Sequence, residues 1–193
     1  MDATLLIQTL NFIAPLSSKI QERLHEYLIE EKFPKRHLLV KEGQVAKRIY
    51  FIKEGFARAY FYHDAKECTT WFMGNGDFMI SVFSFFTQQP AVENIELLED
   101  TTLLSLTWTQ LQNIYADFVE FNFVGRLITE KYYMMSEERA ILHRTLSALE
   151  RYKIMITKYP LIMQKAKLGQ IASYLDMSQE TLSRIRGNKG ILI

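Results

Sequence analysis

Apolar positions along this chain recur at helical spacing near both ends and at strand spacing between them. From Ser17 to Glu31 the stripe Ile20, Leu24 and Leu28 predicts a helix. Pro15 precedes it, Ser17 or Ser18 can cap it, and Pro34 ends it. From Leu38 to Leu106 the pattern becomes strand-like. Leu38–Lys41, Ile49–Lys53, Phe56–Tyr62, Cys68–Met73, Ile95–Leu98 and Leu103–Leu106 are rich in β-branched and aromatic residues. Turn signals separate them at Glu42-Gly43, Glu54-Gly55, His63-Asp64 and Asn75-Gly76-Asp77, so a small β-barrel or jelly roll is expected. Helical spacing returns over Thr107–Tyr115 and then over one long run from Phe118 to about His143, with no Pro and only Gly125 inside it. Its apolar stripe, Val124, Leu127, Ile128, Met134 and Met135, covers more than one side, which calls for a partner beyond its own domain. A further helix over Ser147–Tyr159 is stopped by Pro160, and a basic linker holding Lys165 and Lys167 follows.

The stretch from Lys167 to Arg186 reads as two short helices with a tight break. Leu168, Ile171, Ala172 and Leu175 line the first helix, and Asp176 and Met177 make the break. Ser178 can cap the second helix, with Glu180 in its first turn, where the dipole favours negative charge. Leu182 and Ile185 face inward with Met177, which leaves Gln179, Glu180, Ser183, Arg184 and Arg186 outward. Arg can pair with guanine, Gln with adenine, and Glu can accept from cytosine, so this face suits base edges in a major groove. The pattern alone fits an αα-hairpin with a solvated charged face equally well.

Charge separates these readings better than composition does. The 193 residues are 48% hydrophobic with a net charge of +1, which names no partner. Yet residues 144–193 carry nine Lys/Arg against three Asp/Glu, a net +6, and residues 1–143 carry fourteen against nineteen, a net −5. A basic C-terminal module on an acidic body suits a polyanion. Cys68 is the only cysteine, so no intrachain disulfide is possible and an all-cysteine iron–sulfur cluster is excluded. With Asp2 and no basic stretch at the N-terminus no signal peptide is expected, and the apolar run Phe78–Phe86 is too short to span a bilayer. A cytoplasmic protein without membrane contact is expected. The histidines His25, His37, His63 and His143 are scattered, against the clustered ligands that a cupin-like metal enzyme needs. With no Gly-x-Ser-x-Gly, P-loop or Cys/His pair, neither an enzyme nor a cofactor is expected.

Ile171-Ala172-Ser173-Tyr174-Leu175, followed by Ser178-Gln179-Glu180-Thr181-Leu182-Ser183-Arg184-Ile185, resembles the DNA-binding signature of the Crp/Fnr transcription regulators. The order Lys41-Glu42-Gly43, Ile49-Tyr50-Phe51-Ile52, Gly55 and Gly76-Asp77-Phe78 resembles the cyclic-nucleotide-binding β-roll that precedes the DNA module in that family. The resemblance implies an α+β fold. It consists of an N-terminal double-stranded β-roll over residues 1–116, a dimerisation and linker helix over 117–143, and a helix-turn-helix over 144–193. Base contacts then fall on Gln179, Glu180 and Arg184. Phosphate contacts are expected at Lys165, Lys167, Ser178, Arg186 and Lys189. The expected partners are duplex DNA, bound at a palindromic site, and a second copy of the chain, joined along Val124, Leu127, Ile128, Met134 and Met135.

Three departures qualify the resemblance. Asp176 stands where the family usually has Gly in the turn, and Asp tolerates the left-handed conformation that position needs. The chain ends at Ile193, so the β-hairpin wing of the family is expected to be shortened or missing. The family's nucleotide receptors hold the ribose with a Glu and the phosphate with an Arg-Ser pair. Counting forward from Gly76 and Asp77 puts those positions at Ser81, and at Ala91 and Val92. No Arg or Lys occurs from Glu67 through Asn122, so a buried phosphate would lack its charge partner. Trp71, Phe72, Met79, Phe83, Phe85 and Phe86 either fill this degenerate pocket or line a site for a small neutral or apolar effector, and a filled core is the favoured reading. Response to cAMP is not expected. The alternative to a regulator is a sensor or interaction protein with a degenerate helix-turn-helix.

Overall fold

The computed structural model describes residues 2–187. Helix α1 (Thr4–Ile13), which the apolar pattern does not predict, buries Leu6 and Leu10. Helix α2 (Ser18–Tyr27) buries Ile20 and Leu24 and stops before Leu28, where the backbone turns extended. The expected helix therefore ends early, because Ile29–Phe33 is strand β1. Its charged residues Glu30, Glu31 and Lys32 read as a continuing helix face, but its backbone pairs antiparallel with Thr101–Ser105.

The remaining strands are β2 (Leu38–Val40), β3 (Arg48–Glu54), β4 (Ala57–His63), β5 (Lys66–Met73), β6 (Phe78–Met79), β7 (Asn94–Leu97) and β8 (Thr101–Thr107). They form two four-stranded antiparallel sheets, in the orders β1-β8-β3-β6 and β2-β7-β4-β5. This is the expected β-roll. A Cβ on Gly55 (φ +136°) would stand 2.3 Å from Thr101 Oγ1, so the crossing between the β3–β4 turn and the start of β8 admits no side chain there. A short helix α3 (Val82–Thr87) interrupts the aromatic run between β6 and β7.

Helix α4 (Trp108–Asp117) begins with a capping box in which Thr107 and Gln110 bond each other's backbone N–H. The long helix α5 (Val119–Thr145) crosses α4 closely, since a Cβ on Gly125 would meet Tyr115 Oη at 2.4 Å. Helix α6 (Ala148–Lys158) starts with a second capping box, Ser147 with Glu150. Three short helices follow, α7 (Ile162–Lys165), α8 (Leu168–Tyr174) and α9 (Gln179–Gly187).

Two hydrophobic cores result. The larger joins the roll to α1, α2, α4 and the first turns of α5. In the smaller, Phe56, Phe72 and Leu98 of the roll pack with Tyr152, Met155, Ile162, Ile171, Tyr174 and Leu182 of the C-terminal helices. The C-terminal module therefore shares its core with the body.

Candidate nucleic-acid interface

Helices α8 and α9 meet at the turn that the sequence marked. Ile171 and Ala172 are buried, Asp176 adopts the left-handed conformation (φ +52°), and Met177 N–H donates to the Ala172 carbonyl at 3.0 Å. Ser178 Oγ accepts from Thr181 N–H at 3.1 Å, which caps α9. Its own backbone N–H and the Ser178 side chain hold the Glu180 carboxyl below the usual carboxylate range. Leu182 is fully buried and seats α9 on the module.

Gln179, Glu180, Ser183, Arg184 and Arg186 are exposed together on the outer side of α9. Arg184 Nη2 donates to Thr181 Oγ1 at 3.3 Å, which steadies the guanidinium without covering it. The Gln179 amide folds back over α8, its Nε2 2.7 Å from where a Gly169 Cβ would stand. Lys167 is exposed beside the start of α8. Lys165 points elsewhere: its Nζ pairs with Glu99 of the roll and lies 5.9 Å from the centre of the Phe56 ring. Ser178 spends its hydroxyl on the cap. Lys189 and the expected wing lie outside the described residues.

Sequence reasoning did not find the residues that aim this interface. Arg151 of α6 donates to the carbonyls of Leu175 at 2.9 Å, Asp176 at 3.1 Å and Leu146 at 2.7 Å, which holds the helix-turn-helix break against the end of α5. Ser173 of α8 accepts from Thr69 N–H at 2.9 Å and donates to the Glu67 carbonyl at 3.0 Å. It satisfies backbone groups of β5, an edge strand that would otherwise present them unpaired. Nothing in helical spacing singles out either residue, because each acts on backbone far away in sequence.

The degenerate pocket of the roll has its own geometry. Asp77 ties the β5–β6 turn to α5, accepting Gly74 N–H on Oδ2 at 2.9 Å and Tyr132 hydroxyl on Oδ1 at 3.4 Å. Burial, offset in part by these bonds, raises its pKa. Gly76 N–H donates to the Ile52 carbonyl at 2.8 Å. Ser81 precedes α3 with its hydroxyl buried and without a partner of normal hydrogen-bond geometry. Ala91 is buried and clamped to the β2–β3 loop through Gln44 and Gly43, whereas Val92 points to solvent. Glu93, which no motif in the sequence marks, brings a carboxyl beside Ser81; burial raises its pKa and Ser81 draws it partly back. Of the aromatic group, Met79 and Phe85 are buried in the roll core and Phe72 in the smaller core, while Phe83 and Phe86 are exposed. The buried Arg58 is no substitute cation, because Glu67 at 2.5 Å and Glu96 at 2.7 Å already pair with it.

On α5, Val124 is buried against its own fold and Leu127, Ile128 and Met135 are half-buried. Phe123, Met134 and Ile141 stand out, at 50%, 63% and 58% exposure. Among the described residues no cluster of three His, Cys, Asp or Glu side chains could hold a metal, and no helix is long and apolar enough to cross a membrane.

Residues 30–118 match the family model of the cyclic nucleotide-binding domain. No curated protein matches the sequence. Solved structures of similar fold include CLP, the c-di-GMP responsive global regulator of Xanthomonas campestris. It is 14% identical with a TM-score of 0.68, over 90% of this chain and 92% of that one. FixK2 from Bradyrhizobium japonicum is 18% identical with a TM-score of 0.68, over 83% of each chain. A putative Crp/Fnr-family transcriptional regulator from Eubacterium rectale is 14% identical with a TM-score of 0.69, over 88% of this chain and 82% of that one.

Proposed function

We propose that this chain, a cyclic nucleotide-binding domain followed by a helix-turn-helix in the fold of the Crp/Fnr regulators, is a sequence-specific DNA-binding transcription regulator. The observation that carries the reading is the outer side of α9, where Gln179, Glu180, Ser183 and Arg184 are exposed together above a helix that Ser178 caps and Leu182 seats. These side chains can meet base edges, and Lys167 and Arg186 flank them as phosphate contacts that position without reading sequence. Lys165 drops from that set because Glu99 holds it.

The protein acts as a homodimer joined along α5, in the cytoplasm, and it is not an enzyme. Leu127, Met134 and Ile141 recur every seven residues beside Phe123, the repeat of a two-helix seam. The two α9 helices then enter successive major grooves about 34 Å apart on a palindromic site. Residues 1–116 form the roll domain, 117–143 the joining helix and 144–193 the DNA module. DNA binding requires no cyclic nucleotide. Ala91 brings no cation to the position that would face the phosphate, and the Glu93 carboxyl stands nearby. Selection of bound DNA from a random duplex pool tests the reading. An enriched inverted repeat is expected, and recovery of no sequence at low salt would leave a sensor with a degenerate helix-turn-helix.

A further inference from the structure

A cavity of about 70 Å³ opens where the roll, α5 and the C-terminal module meet. Trp71 of β5, Met135 and Arg139 of α5, Arg151 and Tyr159 after it, and Tyr174 of α8 line it. Arg139 is the anomaly. Its guanidinium lies 5.6 Å from the centre of the Trp71 ring and 5.2 Å from that of Tyr174. Among the described residues it makes no hydrogen bond and no ion pair. Every other buried or half-buried guanidinium of the body has an acceptor: Arg23 has Asp117, Arg48 has Ser105, Arg58 has two carboxylates and Arg151 has three carbonyls. The aromatic faces favour the charge, but a guanidinium has five N–H donors, and rings do not satisfy donors in its plane.

The surroundings add positive potential. Arg151, Lys158 and His143 line the same cavity, and Glu138, exposed on α5, is the one acidic side chain among the lining residues. Burial, then Arg139 and Arg151, lower the pKa of His143, and burial lowers that of Arg139 itself. Both shifts are those of cationic groups drawn out of water, and Asp176 offsets that of His143 only in part.

We propose that this junction binds a small oxyanion, a carboxylate or phosphate group, with the free edge of Arg139 as its charge partner. The cavity size fits a single such group or a metabolite little larger than one. The site lies between modules and is separate from the degenerate pocket around Ser81 and Ala91. An occupant would touch α5 and α8 at once, so its presence would bias how the helix-turn-helix sits on the long helix.

The test is calorimetry on the full chain with inorganic phosphate and, separately, acetate, in chloride buffer of constant ionic strength. Saturable binding of at least one, with one site per chain, is expected, and the better probe identifies the group. Arg139→Gln should weaken it about ten- to hundredfold, the factor for losing a charge-assisted hydrogen bond. Arg139→Lys keeps the charge without the fork, should fall between, and serves if Arg139→Gln does not fold. Arg184→Ala, on the outer side of α9, should bind the probe as the wild type does. Silence with both probes overturns the proposal, as does binding that Arg139→Gln leaves unchanged. A silent titration together with a shift of Arg139→Gln toward monomer in sedimentation would instead assign Arg139 to a carboxylate of a second copy.

Discussion

Among the described residues Arg184 is held by Thr181 of its own helix alone, so most of its guanidinium donors stay free for a ligand. Arg184→Ala should cost about 1–3 kcal/mol of specific binding and relax base preference at one position per half-site. Equal losses on specific and random duplex would make it a phosphate contact. In the roll, the absent cation and the nearby Glu93 predict that neither cAMP nor cGMP gives a saturable heat at micromolar concentration, and that a DNA shift assay is indifferent to both. A nucleotide-dependent shift would mean that another residue supplies the charge. Glu93 also predicts a pH dependence. Burial raises its pKa in the folded state, so the folded chain prefers the neutral carboxyl. The associated stability is complete below the ordinary glutamate value of 4.5 and is lost as pH rises through the raised folded value. Glu93→Gln should therefore melt higher than wild type near neutral pH, with the gap closing in acid. A gap that does not change with pH would put the effect in packing. Of these residues, the α9 face and Asp176 were legible because local chemistry fixes them: a cap, a turn conformation and helical spacing. Glu93, Arg139 and Arg151 were not, because what defines each is a neighbour that only the fold supplies.

At the scale of elements, period alone found the roll, the long helix and the two helices of the C-terminal helix-turn-helix. It missed α1, and it ran α2 into β1, because Glu30, Glu31 and Lys32 present charge at every position and so show neither period. It also missed α3, which lies inside an aromatic run too short to tell helix from strand. The long helix shows the reverse limit. Its apolar stripe was visible, but the stripe is divided between the core and the outside. Val124 is spent on the body core, and the outward side is set by Phe123, Leu127, Met134 and Ile141. A charge on that side should separate subunits without unfolding them. Met134→Glu, at a site 63% exposed, and Leu127→Glu should sediment as folded monomers and lose tight binding to a palindromic site. Val124→Glu should instead destabilise the fold, since it buries an unpaired charge. A Met134→Glu protein that stays dimeric would place the interface elsewhere.

For the whole molecule, nothing in the sequence signals that the C-terminal module is docked. A basic segment after a linker reads as a tethered unit, whereas the structure runs one hydrophobic core through the boundary. Phe72 of β5 is the centre of that core, buried to 1% exposure, stacked near Phe56 and 5.1 Å from the Tyr174 ring centre. Around it the Ser173 bonds to the β5 backbone and the Lys165–Glu99 pair close the seam. The pair is half-exposed and contributes little, as surface ion pairs do. The buried aromatic carries the coupling. Phe72→Ala should cost about 3–5 kcal/mol, the range for removing a buried phenyl ring and leaving a cavity. Because the ring belongs to both modules, the loss should appear in a single cooperative transition, followed alike by signals from the roll and from the C-terminal helices. Hydrogen exchange of backbone amides in β3 and β8 of the roll and in α8 of the module probes the two sides. If denaturant instead produced two transitions and Phe72→Ala moved only the one reported by the roll amides, the modules would be energetically independent. The docked arrangement would then be one orientation among several, and the position of α9 relative to a partner's α9 would be set by DNA and not by the chain.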